Sequence, residues 1–278
     1  MKDVSIGQYY PVESPIHRLD PRIKLLAVIL YIVAIFFIRK FVGFAVVAVF
    51  LFAVILTSRV PFGKVLRSLR AILFLVLFTV LMSVLFYSTK TEEPLWAWHF
   101  IKIYKKGLLN AARMGLRLIF LVLGPSILTL TTTPVELTDG LESLLKPLAL
   151  IRLPVHELAM IMSIALRLIP TLMEETEKIM NAQKARCADF DTGNIFKRAK
   201  ALLPILIPLF VSSFRRADEL ADAMDSRCYR GAKGRTRMKV LRLHARDFAA
   251  AFCMLALFFA VLVLRYNWFG WAFVGLLL

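Results

Sequence analysis

Acidic residues are scarce in this chain: 19 Asp and Glu stand against 36 Lys and Arg, a formal net charge of +17 over 278 residues. Cysteine is scarcer still. The three thiols, Cys187, Cys228 and Cys253, are an odd number without CxxC spacing, which argues against a disulfide framework or a zinc site. No stretch matches G-x-x-x-x-G-K-[ST]; residues Gly231 to Gly234 have neither the spacing nor the context, so the chain should not bind ATP through a P-loop. The four histidines, His17, His99, His156 and His244, are scattered without an HExxH or paired metal motif, and His17 reads as an ordinary interfacial histidine rather than a metal ligand. No serine sits in a nucleophile elbow, and no Asp or Glu pair lies inside an apolar span. The start, Met1 to Lys24, lacks the apolar core and cleavage site of a signal peptide. What is missing is the machinery of a membrane enzyme and the buried charge of a self-sufficient proton-coupled carrier.

What is present is apolar surface. With 59% hydrophobic residues and a mean hydropathy of +0.70, a soluble domain would have to bury nearly all of it, whereas a polytopic membrane protein presents much of it to lipid. The basic excess then orients the chain in a membrane rather than serving nucleic acid. Asp20 is an N-cap with Pro21 at the first helical position. Leu25 to Ile38 and Phe41 to Thr57 are two apolar blocks split by Arg39 and Lys40, read as two spans with a tight outer turn; a single long helix would put the basic pair at mid-bilayer, at a cost of several kcal/mol. Arg59, Lys64, Arg67 and Arg70, with Pro61, Phe62 and Gly63 as a turn, form a cytoplasmic basic loop, which places the N-terminus inside the cell. Ala71 to Tyr87 is a third span. Ser88 to Tyr104 carries Trp96 and Trp98 as an outer interfacial aromatic cluster, and Leu116 to Leu130 is a fourth span with Arg113 and Arg117 near its start, read as snorkelling and helix-pairing residues. Phe248 to Leu264 is a further span; Trp268 to Leu278 is apolar but short.

Between these membrane blocks the helix signals sharpen. Thr133-Pro134-Val135-Glu136 is a capping box, and its helix stops near Lys146 and Pro147. Longer amphipathic helices are predicted from Val155 to about Ala185 and from about Ile195 to Cys228. The second contains an apolar segment, Ala201 to Phe214, of about 14 residues, too short for a span and interrupted by Pro204 and Pro208. Each long helix closes on a similar signature: Asn181-Ala182-Gln183-Lys184-Ala185-Arg186-Cys187, and Asp222-Ala223-Met224-Asp225-Ser226-Arg227-Cys228. Two exposed arginines on matched helix ends suit docking into acceptor-rich sockets, because guanidinium makes several directed bonds and stays charged. The basic run from Arg230 to Arg246 reads as a topogenic, phospholipid-facing stretch.

At these residues the chain resembles the transmembrane T component of energy-coupling factor (ECF) transporters, the scaffold subunit of a class of ABC importers for vitamins and metal ions. The resemblance covers nearly the whole chain. It rests on Leu19-Asp20-Pro21-Arg22-Ile23-Lys24, Thr133-Pro134-Val135-Glu136, Leu153-Pro154-Val155-His156-Glu157-Leu158, Arg167-Leu168-Ile169-Pro170-Thr171 and the two arginine signatures. It implies an all-α polytopic membrane protein in a prokaryotic cytoplasmic membrane, with about five or six transmembrane helices plus long amphipathic cytoplasmic coupling helices. The expected divisions are a membrane region 1–132, a coupling-helix region 133–246 and a C-terminal membrane segment 247–278. It further implies that Ala185, Arg186 and Cys187, and Ser226, Arg227 and Cys228, dock two ABC ATPase subunits. Both triplets depart from the family's Ala-Arg-Gly pattern, with Cys for Gly in the first and Ser for Ala in the second. Leu202, Leu203, Pro204, Leu206, Ile207, Pro208 and Phe210 are expected to contact a substrate-binding membrane subunit, the S component. ATP and Mg would belong to the ATPases, with no cofactor or metal in this chain. Two alternatives remain: the T component of a dedicated cobalt or nickel importer, and a stand-alone permease.

Overall fold

The computed structural model describes residues 9–85, 96–98, 101–147, 154–188, 190, 194–231 and 243–266. Eight α-helices run through them: α1 (Pro21–Phe37), α2 (Phe41–Ser58), α3 (Phe62–Leu85), α4 (Lys105–Thr131), α5 (Pro134–Leu145), α6 (Val155–Ala185), α7 (Ile195–Ser226) and α8 (Ala245–Tyr266). The protein is an all-α polytopic membrane protein. Its described helices include four long and apolar enough to cross a bilayer, α2, α4, α6 and α8, and a fifth if α3, bent by 56° between Phe62–Arg70 and Ile72–Leu85, counts as one span. The 17-residue α1 is about 25 Å long, slightly less than the roughly 30 Å hydrocarbon core.

The chain forms two compact units: one comprises the described residues of Gly7–Leu141 and Leu241–Leu278, the other those of Glu142–Val240. In the first, Tyr31, Ile35, Val47, Leu51, Phe120, Ile127 and Leu257 form a continuous core among α1, α2, α4 and α8. Tyr31 donates its hydroxyl to the Phe120 carbonyl at 2.8 Å, and its ring lies so close to Gly124 that any side chain there would collide with it.

The blocks split by Arg39 and Lys40 are two helices, as expected. Arg117 Nη2 donates to the Ile38 carbonyl at 2.8 Å and Arg113 Nη1 to the Arg39 carbonyl at 3.4 Å. These guanidiniums therefore pair α4 with the α1–α2 break, supplying donors to carbonyls that a helix end leaves open. Two expectations change. The basic stretch from Lys64 to Arg70 is helical, since α3 begins at Phe62 straight after Pro61, and Lys and Arg are good helix formers with no breaker after them. Within the segment read as an aromatic cluster, β1 (Trp96–Trp98) and β2 (Ile101–Ile103) pair antiparallel, with Ala97 opposite Lys102. The rest of that segment up to residue 95, and the end of the chain from Trp268, lie outside the described residues.

The Leu19-to-Lys24 motif is a polar knot. Asp20 caps α1 by accepting from the Arg22 amide at 2.9 Å, and its own amide donates to Asp247 Oδ1 at 2.8 Å. Asp247 in turn takes the His244 amide on Oδ2 at 2.7 Å, a reach-back cap for α8, so one buried carboxylate ties the starts of two helices together. Lys24, also buried, donates to the carbonyls of His17 and Thr131 and to Thr132 Oγ1 at 3.0–3.3 Å; all three ammonium donors are used, one on the last carbonyls of α4. The Thr133–Glu136 capping box is present in both directions, at 3.2 and 3.3 Å.

Candidate functional site

The two arginine signatures fall at the C-termini of α6 and α7, within the second unit, and the two ends have the same backbone. Ala185 closes α6 and Arg186 follows as its C-cap; Cys187 then takes a left-handed conformation, φ +63°. The Cys187 amide donates to the Lys184 carbonyl and the Ala188 amide to the Gln183 carbonyl, both at 3.0 Å. On α7, Ser226 is last, Arg227 follows, and Cys228 has φ +54°. Its amide donates to Asp225 at 2.9 Å and that of Tyr229 to Met224 at 3.1 Å. This pair of reverse bonds is the Schellman motif, whose left-handed position is ordinarily glycine because a Cβ there costs roughly 1 kcal/mol. The departure from Ala-Arg-Gly thus has a physical description: a cysteine stands where the backbone asks for glycine, and the cap forms anyway. Of the three non-glycine residues with positive φ among those described, Cys187 and Cys228 are two.

Each cap throws its arginine outward. Ala185, Arg186, Cys187, Ser226, Arg227 and Cys228 are all exposed, and among the described residues neither guanidinium has an ion-pair or hydrogen-bond partner. Both sit where a helix C-terminus concentrates partial negative charge, which favours a cation but leaves its outer donors free.

The helices form an antiparallel hairpin. Glu175 of α6 receives the Ser212 hydroxyl on Oε1, and Arg216 Nη2 donates to its Oε2 at 3.2 Å. Nearer the turn, Gln183 Nε2 donates to the Pro204 carbonyl at 3.5 Å. That carbonyl would ordinarily bond the amide four residues on, but residue 208 is proline and has none. Gln183 supplies the donor that Pro208 removes. Because Gln183 lies beside Pro204, the 23 residues from Pro204 to Arg227 set Arg227 about 35 Å along α7 from the Arg186 end.

Ile205 and Ser212 of α7 are buried. On its outer side Leu202, Leu203, Pro204, Leu206, Ile207, Pro208 and Phe210 are exposed, and the patch continues to Val211 and Phe214, each above 60% exposed. Leu158, Ile161 and Met162 of α6 are exposed too. An apolar surface of this extent marks a lipid or protein contact. Sequence reasoning missed the Glu175–Ser212–Arg216 clamp and the Gln183–Pro204 bond. Only the Pro204–Pro208 spacing, four residues apart, signalled that one helix carbonyl would need an outside donor. His156 Nδ1 lies 3.0 Å from Glu142 Oε1, which ties the start of α6 to the end of α5. Among the described residues no three or more His, Cys, Asp or Glu side chains cluster as a metal site would require.

Comparison with known proteins decides what family this hairpin belongs to. A family model described as cobalt transport protein, CbiQ, matches residues 12–239. A protein of Clostridium kluyveri named energy-coupling factor transporter transmembrane protein EcfT is 53% identical over 97% of this chain and 99% of its own length. Proteins of the same name from Acidaminococcus fermentans and Bacillus subtilis are 49% and 44% identical, over 96% and 95% of this chain and 98% and 99% of their own lengths. The chain belongs to the EcfT family, the transmembrane T components of ECF transporters. The hairpin is therefore part of a multi-pass transporter component, and the matched region contains both arginine caps of this EcfT-family chain.

Proposed function

We propose that this chain is the coupling scaffold of an ECF-type importer, in which Arg186 and Arg227 dock two ATPase subunits and the outer face of α7 carries a substrate-binding S component. The observation that carries the reading is the repeated cap: two arginines, without a partner among the described residues, presented by the same Schellman geometry at opposite ends of one hairpin. Closure of the ATPases on ATP would draw the two docked ends together. The Glu175–Ser212–Arg216 clamp keeps α6 and α7 joined while their ends move, and the surface from Leu202 to Phe210 passes that motion to the S component, which reorients with a vitamin or other micronutrient. ATP and Mg remain on the partner subunits.

The hairpin is assigned to the cytoplasmic membrane surface, although α6 has the length of a span. Glu157, Arg167, Glu174, Glu175, Glu177 and Lys178 leave α6 no uncharged stretch longer than the nine residues Leu158 to Leu166, and crossing would carry several of these charges into lipid at several kcal/mol each. With α6 and α7 on the surface, both arginines face the cytoplasm and the N-terminus is cytoplasmic, in keeping with the basic residues that open α3. A second reading, a dedicated cobalt or nickel system, is favoured by the description of the matching family model, and the identity of the copurifying subunits separates the two. Substituting Arg186 and Arg227 by Ala, singly and together, and measuring ATPase-subunit copurification and substrate uptake tests the proposal; a double variant that assembles and transports normally refutes it. Uptake into liposomes by this chain alone would support a stand-alone permease instead.

A further inference from the structure

We infer that the first unit contains a binding site for one membrane phospholipid, which places an acyl chain between α1, α2, α4 and α8 and its anionic headgroup at Arg246. A cavity of about 680 Å³ lies there, lined by Ala27 and Tyr31 of α1, Val54 of α2, Ile127 of α4 and Ala250 of α8, with Arg246 at one end. The volume falls within the roughly 300–1,000 Å³ of ordinary ligand sites.

The walls exclude a hydrophilic ligand. Besides Arg246 and the weakly donating Cys253 thiol, four lining side chains carry polar hydrogens, Lys24, Tyr31, Thr57 and Thr131, and each of these four is already committed inside the protein. Lys24 uses its three donors as described above, Tyr31 donates to Phe120, Thr57 to the Ala53 carbonyl at 2.7 Å and Thr131 to the Ile127 carbonyl at 2.8 Å. A sugar, nucleotide or vitamin headgroup would find no free donor along these walls, and water would fare little better. Arg246 differs: its guanidinium has no ion-pair or hydrogen-bond partner among the described residues and is exposed. Among the described residues the cavity is thus an apolar slot with one available cation, Arg246, at its mouth.

Its length along α8 is that of one leaflet. From Arg246 to Ala256 the slot follows ten residues of α8, about 15 Å, half of the roughly 30 Å hydrocarbon core. The slot occupies the end of the bundle where α1 and α8 begin and α2 and α4 finish, so it is one leaflet deep. Besides Arg246, Ala53 and Thr57 of α2 and Ala249, Cys253 and Ala256 of α8 are the exposed lining residues on these two helices, which opens the slot sideways between them. Assigning it to the cytoplasmic leaflet, where anionic lipid is available to Arg246, rests on the orientation proposed above; the slot itself does not.

Native mass spectrometry of the detergent-purified full-length chain, supplied with equimolar phosphatidylglycerol and phosphatidylcholine, tests the site without any partner subunit. One phospholipid should be retained per chain, with phosphatidylglycerol favoured about tenfold through the charge-assisted contact to Arg246. Arg246→Gln should keep the lipid and lose the preference, and Ala250→Phe, which fills the slot, should lose the lipid. Maleimide labelling of the unsubstituted chain, read at the Cys253 peptide, should slow severalfold when phosphatidylglycerol is added. No retained lipid, equal retention by Ala250→Phe, an unchanged preference in Arg246→Gln or unprotected Cys253 would each overturn the site, and none of these results bears on the docking of ATPases.

Discussion

At the scale of single residues, the two cap cysteines are a measurable departure from what the backbone prefers. Replacing Cys187 or Cys228 by Gly removes a Cβ from a left-handed position and should stabilise each cap by about 1 kcal/mol; Cys→Val should loosen it further than the native residue does. Hydrogen exchange at the Ala188 and Tyr229 amides reads both, and equal protection in the Gly and Val variants would show that the caps are set by something other than local conformation. His17 supplies a second test. Burial, with the nearby Lys24 ammonium adding to it, holds its imidazole below the ordinary 6.5, against the raising effect of its bond to the Tyr10 carbonyl. In the neutral ring Nε2–H donates to Tyr10 and Nδ1 accepts the Ser14 hydroxyl at 2.7 Å. Because the unfolded state binds the proton more readily, stability is fully present above pH 6.5 and falls as pH drops below it toward the lowered folded value. Thermal denaturation in detergent across pH 5 to 8 should show this slope in the native chain and a flatter one in His17→Gln; the same slope in both would assign it to other groups.

At the scale of elements, the hairpin depends on a few polar contacts rather than on a large core. Glu175→Gln removes the charge that holds Arg216 while keeping a group able to bond Ser212, and should increase the spread of α6–α7 distances measured between spin labels. Partly buried ion pairs of this kind contribute about 1 kcal/mol, enough to loosen a hairpin without unfolding it. Unchanged distances would show that apolar packing through Ile205 suffices. The extents of α6 and α7 were legible in the sequence, because amphipathic period, the Pro154 that opens α6 and the polar turn between the helices all pointed to the same ends. The start of α3 was not: a basic cluster next to Pro61 and Gly63 has the composition of a loop, and only the good helix propensity of Lys and Arg favoured the alternative. The β1–β2 pairing was hidden for a related reason, since three-residue strands of Trp, Ala and Ile give too short a pattern to tell from an interfacial aromatic cluster.

At the scale of the whole molecule, apolar patterning and charge asymmetry suffice to place this chain in a membrane, and the two signatures suffice to find its candidate docking ends. The contacts that join distant parts were out of reach, because Asp20 and Asp247 lie 227 residues apart and the sequence says nothing of their register. Lys24→Met should destabilise the first unit by a few kcal/mol, since it leaves the Thr131 and His17 carbonyls buried without their donor. A lowered thermal midpoint in detergent would register the loss, and an unchanged one would mean that water replaces the ammonium. The central claim concerns Arg186 and Arg227, and its most direct measurement is copurification of the ATPase subunits with the full complex carrying Arg186→Ala, Arg227→Ala or both. The account predicts that each single variant weakens one of two attachments and lowers uptake, and that the double variant loses the ATPases while the chain remains in the membrane. Full ATPase retention and normal uptake by the double variant would contradict it.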